Sequence, residues 1–197
     1  MAIAKADILT FVNGQLKRNE TDIDVQIQSI LNDLSDENLL VNTDEDQSLS
    51  SGSIYLTYPT GFKELISITL NDGTYWGEPL IALPGGHKEY RELVEESVSS
   101  NYDEPEHYSE FDKKFWLWPI AGGDYDARIE FYRYHPQDVS NILFGDEFKN
   151  AINFGAAYRV ALKRRMPEQK NNWEIEYEKE KAKRIVNAPS QPYICRG

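Results

Sequence analysis

Three histidines (His87, His107 and His135), one cysteine (Cys195) and 33 carboxylates are the groups from which this 197-residue chain could build reactive chemistry. A histidine metal site usually places two imidazoles one helical turn apart; none of the three has a partner at that spacing. A single cysteine excludes an internal disulfide and a cysteine-based zinc site within one subunit. Cys195 reads as a free thiol near the chain end. The acidic triplet Asp44-Glu45-Asp46 suggests calcium, but it lacks the alternating ligands and fixed glycine of an EF-hand loop, and is expected to be a solvated loop. Gly85-Gly86 has no following Lys-Ser/Thr, so it is no phosphate loop. There is no nucleophile elbow and no Cys–His pair. Carboxylates in such number must mostly be solvated. No catalytic, metal or cofactor site is predicted, and the chain is not expected to be an enzyme.

Charge is more informative. The formal net charge is −12, unevenly spread. Residues 19–62 carry no lysine or arginine against nine acidic residues, and residues 89–112 carry nine acidic residues and one arginine. Residues 147–186 reverse the balance, with ten basic against six acidic. Phosphate affinity rests on Lys and Arg, so a surface this acidic excludes tight duplex binding by the whole molecule and leaves only a local basic face at the C-terminal helices. Hydrophobic residues, 40% of the chain, supply a core. No run approaches the roughly 18 apolar residues of a membrane span, and "MAIAKADILTF" has no secretory-leader pattern.

The elements that would position a site follow from periodicity. Ile8, Leu9, Val12 and Leu16 predict a helix over about 3–17, and Ile23, Ile27, Ile30, Leu31 and Leu34 a second over about 22–34, with Thr21 or Asp22 as cap. The segment "SDENLLVNTDEDQSLSSGS" reads as polar loop. A β-rich middle spans about 54–135. In it "IYLTYPTGFKELISITLND" makes two strands around a Pro-Thr-Gly turn, "PGGHKEYRELVEE" starts a short helix, and "SVSSNYDEPEHYSEF" is an acidic loop. In "KKFWLWPIAGGDYDARIEFYRYHP", Phe115 and Leu117 alternate with Trp116 and Trp118, and Ala127, Ile129 and Phe131 share one face of the return strand. This pattern predicts a hairpin with one buried face. Asp146 then caps a helix over about 146–165, in which Gly155, Ala156 and Ala157 allow another backbone to approach. Pro167 opens a last helix over about 168–186 carrying Glu176–Lys179, Glu178–Lys181 and Glu180–Arg184 pairs. "NAPSQPYICRG" is an aperiodic tail.

In this order the segments "YPTGFKELISITL", "GEPLIALPGGHKEYREL", "KKFWLWP", "ARIEFYRYHP" and "DEFKNAINFGAAYRVALKRRMPEQKNNWEIEYEKEKAKRI" resemble the adaptor, or head-to-tail connector, proteins of tailed bacteriophages, over roughly Met1 to Val186. The resemblance implies an α+β subunit, a helical bundle from both termini with a β-rich middle insertion, forming one adaptor domain over 1–186. It implies a virion neck protein assembled in the host cytoplasm, a homo-oligomeric ring of about twelve copies with closed symmetry. That ring would sit between a portal protein and a downstream tail or neck protein, with genomic DNA passing through it. It carries over no catalytic residue. It makes residues 187–197 a docking tail onto portal, with Pro189, Pro192, Tyr193 and Ile194 as its features. Trp116, Trp118 and Tyr132 are candidates for the subunit interface, and Lys163, Arg164, Arg165 and Lys170 for an acidic portal surface or for complementing their own helix dipole. The alternative is a carbohydrate-binding virion module with Trp116, Trp118, Tyr132 and Tyr134 as platform, which requires those rings in an exposed row.

Overall fold

The computed structural model describes residues 3–96 and 101–187. The fold is α+β, and the chain divides into two compact units. Residues 1–41 and 132–197 form one, and residues 42–131 the other.

The first unit is a helical bundle built from both ends of the chain. It contains α1 (Lys5–Leu16), α2 (Asp24–Asp36), α4 (Lys149–Lys163) and α5 (Pro167–Asn187). The predicted stripe of α2 is the centre of its core: Ile27, Ile30, Leu31 and Leu34 are fully buried, against Ile8 and Val12 of α1 and Ile152, Ala156, Ala157 and Ala161 of α4. The small residues of α4 act as expected. A Cβ on Gly155 would lie 2.8 Å from Ile30, so glycine here is what lets α2 and α4 approach. Phe11, Phe154 and Trp173 meet with ring centroids 5.6–5.9 Å apart and tie α1, α4 and α5 together. Neither Thr21 nor Asp22 caps α2: Ile23 takes the N-cap position, and Asp22 accepts a hydrogen bond from the Asp24 amide at the start of the helix. Asp146 does not cap α4. It lies in a 3₁₀ turn (Asp146–Phe148) that leads into the helix, and Phe148 takes the N-cap position. Pro167 opens α5, where its missing amide costs nothing. All three predicted charge pairs of α5 form.

The second unit is β-rich: β1 (Val41–Leu49), β2 (Tyr55–Thr57), β3 (Phe62–Asn71), β4 (Ile81–Ala82), β5 (Tyr102–Asp103), β6 (His107–Phe111), β7 (Lys114–Trp118), β8 (Ile120–Ala121) and β9 (Tyr125–Arg133), with α3 (Gly86–Glu96). One sheet runs β1-β9-β3, a second β2-β7-β6-β4, and β5 pairs with β8. Ile68, Leu70, Ala127, Ile129 and Phe131 of the first share a core with Leu56, Phe115 and Leu117 of the second. Strands β7 and β9 turn alternate residues inward, as stacked sheets require. The gaps between sheets are bridged. Gly77 and Leu80 donate to the β3 carbonyls of Leu70 and Ile68, and the Gln47 side chain of β1 pairs with both the amide and the carbonyl of Thr57 in β2.

Three expectations are corrected here. The segment after α2 is not a loop, because β1 occupies Val41–Leu49. The acidic stretch before Phe111 holds β5 and β6. The Trp-rich strand and "ARIEFYR" are not hairpin partners, since β7 and β9 belong to different sheets. The partner of β7 is β6, joined by the two-residue turn Asp112-Lys113 with φ of 51° and 57°. That left-handed pair matches the twist of the flanking strands.

Candidate functional site: assembly surfaces

The nominated tail residues Pro189, Pro192, Tyr193 and Ile194 lie outside the described residues. The other candidates are placed and do not come together as one surface.

Trp116 faces outward from β7 but its ring is occupied. Tyr55, His87 and Tyr90 lie with centroids 5.3–5.6 Å away, and the indole N–H donates to the Phe111 carbonyl at 3.1 Å. Helix α3 closes this cluster from above, with Tyr90 buried and His87 stacked 4.3 Å from Phe111. Trp118 is half-buried on the same strand face. Tyr132 is 7% exposed and belongs to the helical unit. It is available neither to a sugar nor to a neighbouring subunit, because the chain has left the sheet-core alternation by that point. A platform row of Trp116, Trp118, Tyr132 and Tyr134 is therefore not formed within either unit.

The basic group divides in two. Arg164 turns back on its own bundle, donating from Nε and Nη2 to the two carboxylate oxygens of Glu20 at 2.7 and 2.6 Å. Glu20 is nearly buried, and Asn13 holds its backbone through two hydrogen bonds. The Arg164 hydrogen bond holds the Glu20 carboxyl below the usual carboxylate range against the opposing effect of burial. Lys170 is likewise taken by Glu174. Lys163 and Arg165 remain exposed at the turn between α4 and α5, beside Leu162, which is 47% exposed.

The groups that pin this bundle from within leave little trace in the sequence. Tyr177 is 1% exposed and donates its hydroxyl to Asp33; burial and that carboxylate push its pKa well up. Lys181 reaches Asp33 and Glu37 at 3.4 and 3.3 Å. Only the i, i+4 hydrophobic spacing of α5 could have hinted that a tyrosine there faces inward. His135, 2% exposed, accepts from the Leu143 amide at Nε2 and lies 2.7 Å from the Pro136 carbonyl at Nδ1. This geometry requires the neutral ring with its proton on Nδ1, and burial lowers its pKa accordingly. The histidine organises a loop. His87 and His107 belong to the other unit.

A further surface of the helical unit was not anticipated: a groove of about 730 Å³ between α2 and the loop after β9, lined by Val25, Asp24, Asp36, Asp138, Val139 and Arg159 among others. Among the described residues no group of three potential metal ligands is gathered, and no helix is long and apolar enough to cross a membrane.

The family model described as SU10 adaptor protein matches residues 4–192. No curated protein matches the chain.

Proposed function

The chain belongs to the SU10 adaptor protein family, and on that premise we propose that it is the head-to-tail connector of a tailed phage. Family membership makes it a structural component of the virion that interacts with other head or tail proteins. The finer reading is ours: copies close into a ring of about twelve under the portal, present a platform to the next tail or neck component, and leave a channel through which the genome passes. The observation that carries it is the extent of the match, which covers both units and continues beyond α5 through Pro192, into the segment nominated for docking.

Physical chemistry supports each part. A conduit must pass DNA without retaining it, and a chain of net charge −12 repels phosphate. The same charge keeps free copies apart, so the free protein is a monomer or small oligomer that assembles on the portal. Two prolines at 189 and 192 prevent α5 from continuing, and Tyr193 and Ile194 offer an apolar anchor for a groove on the portal, ordered on binding. The carbohydrate reading lacks its row of exposed rings and is not retained.

The test is truncation. A chain ending at Asn187 should fold as the full chain does and lose binding to portal-bearing capsids. Undiminished binding would reduce the tail to an ordinary frayed terminus.

A further inference from the structure

Two surfaces of the helical unit are opposite in charge and each exposes an aliphatic side chain, and neither is explained by the fold of one chain. The first is the groove beside α2. Its floor includes Val25, 76% exposed on a helix whose other aliphatic residues are fully buried, and the buried Val139. Gln28 and Asn32 satisfy each other and the Pro136 carbonyl within it. Of its charged groups, Asp24 is paired with Lys5 and Asp33 with Tyr177 and Lys181. The rim residues Asp36 and Asp138 are exposed. Asp138 accepts hydrogen bonds from the hydroxyl and the amide of Ser140, which hold its pKa down and keep it ionised. Arg159 is the one cation in the lining.

The second surface is the turn from α4 to α5. Leu162 projects there at 47% exposure, with Lys163 and Arg165 beside it. Leu162 lies in the last turn of α4, and Arg165, in left-handed backbone just past the helix end, is exposed close to it in the chain. Arg164 turns to the other side and is spent on Glu20. An aliphatic knob flanked by two cations is thus offered by the same unit that offers an aliphatic floor with an acidic rim.

We propose that the groove of one copy receives the Leu162–Arg165 turn of the next. Leu162 packs on Val25, and Lys163 and Arg165 meet the acidic rim at Asp138. The two surfaces differ, so the contact is head-to-tail, and repetition closes a ring when the rotation allows. This rests on the ring reading above and names the surfaces it would use. A contact with one aliphatic knob and exposed ion pairs is weak in isolation, which suits copies that must stay apart until a portal gathers them.

Disulfide trapping tests this, because the bond forms only when Cβ atoms come within about 4 Å. In a Cys195→Ser background, one protein carries Val25→Cys and another Leu162→Cys. Mixed under mild oxidation, they should cross-link at least tenfold faster than either alone, and a chain with both cysteines should form a ladder of oligomers. Adding Lys163→Glu and Arg165→Glu to the Leu162→Cys chain should abolish the advantage. A mixture no faster than the single proteins, or one indifferent to charge reversal, overturns the pairing. A ring still seen on portal-bearing capsids would then leave the adaptor reading intact with other surfaces. Specific trapping without any ring on capsids would sink that reading alone.

Discussion

The two units solve the same problem of rigidity with different chemistry. The β unit is one contiguous stretch, residues 42–131, held by interlocked rings: Tyr58, Phe62, Phe115 and Phe131 form a chain of contacts with centroids 4.1–5.8 Å apart. The helical unit joins the two ends of the chain and adds ionised pins to its aliphatic core, Glu20–Arg164 between the first loop and α4 and Asp33–Lys181 between α2 and α5. Aromatic packing is indifferent to pH and salt, whereas ion pairs are not. The unit that carries both candidate self-association surfaces is therefore the one whose stability responds more strongly to solution conditions.

That contrast can be broken from either side. The largest effect is expected from Phe115→Ala, which removes a fully buried ring from the β core and should cost about 3–5 kcal/mol. In hydrogen exchange followed by mass spectrometry, protection should fall in residues 42–131 first. Equal loss in the helices would mean that the units do not open separately. Next comes Gly155→Ala, whose added methyl meets the fully buried Ile30 at 2.8 Å. Overpacking of this kind costs about 1–3 kcal/mol and should show as reduced protection in α2 and α4.

Acid sharpens the comparison. The folded-state pKa of Glu20 is lowered, chiefly by Arg164, and that of His135 by burial. Both contribute stability that is fully present above their unfolded values, about 4.3 and 6.5. It is lost as pH falls through the folded ones. Exchange protection in the helical unit should decline from about pH 6.5 downward, and steeply in the carboxylate range. In the β unit His87 contributes the same sign through partial burial, and the Glu45–Arg128 pair there, 2.6 Å apart, joins partly exposed groups and is weakened by solvent relative to the pair on the buried Glu20. Arg164→Gln should flatten the lowest part of the helical profile. If both units lost protection in parallel, the assignment of ionised pins to one of them would be wrong. The smallest effect is in the β6–β7 turn. Lys113→Gly relieves a left-handed residue and should stabilise the β unit by about 1 kcal/mol, seen as a higher denaturation midpoint.

The same chemical difference decides how legible each unit is. The helices of the bundle announce themselves because 3.6-residue periodicity in α2 survives in Ile27, Ile30, Leu31 and Leu34 without interruption. In the β unit, period two correctly separates Phe115 and Leu117 from Trp116 and Trp118, but it says only which face is buried, not which strand lies alongside. For that reason alternation alone makes β7 and β9 look like hairpin partners, although they lie in different sheets. Strand β1 was hidden because only Leu49 of its residues is buried, so acidic residues fill positions where alternation would show. The turn Asp112-Lys113 lacks the glycine that marks such hairpins. On the surfaces, the basic run 163–165 was visible as a run, but the commitment of Arg164 to Glu20 depends on contacts 144 residues apart, beyond any local pattern.

The proposed function is that of a ring-forming connector seated on the portal. The direct measurement is electron microscopy of portal-bearing, tail-less capsids incubated with the purified full chain. The account predicts an added ring of density at the portal vertex of these particles. Capsids that show no density beyond the portal at saturating protein would contradict it.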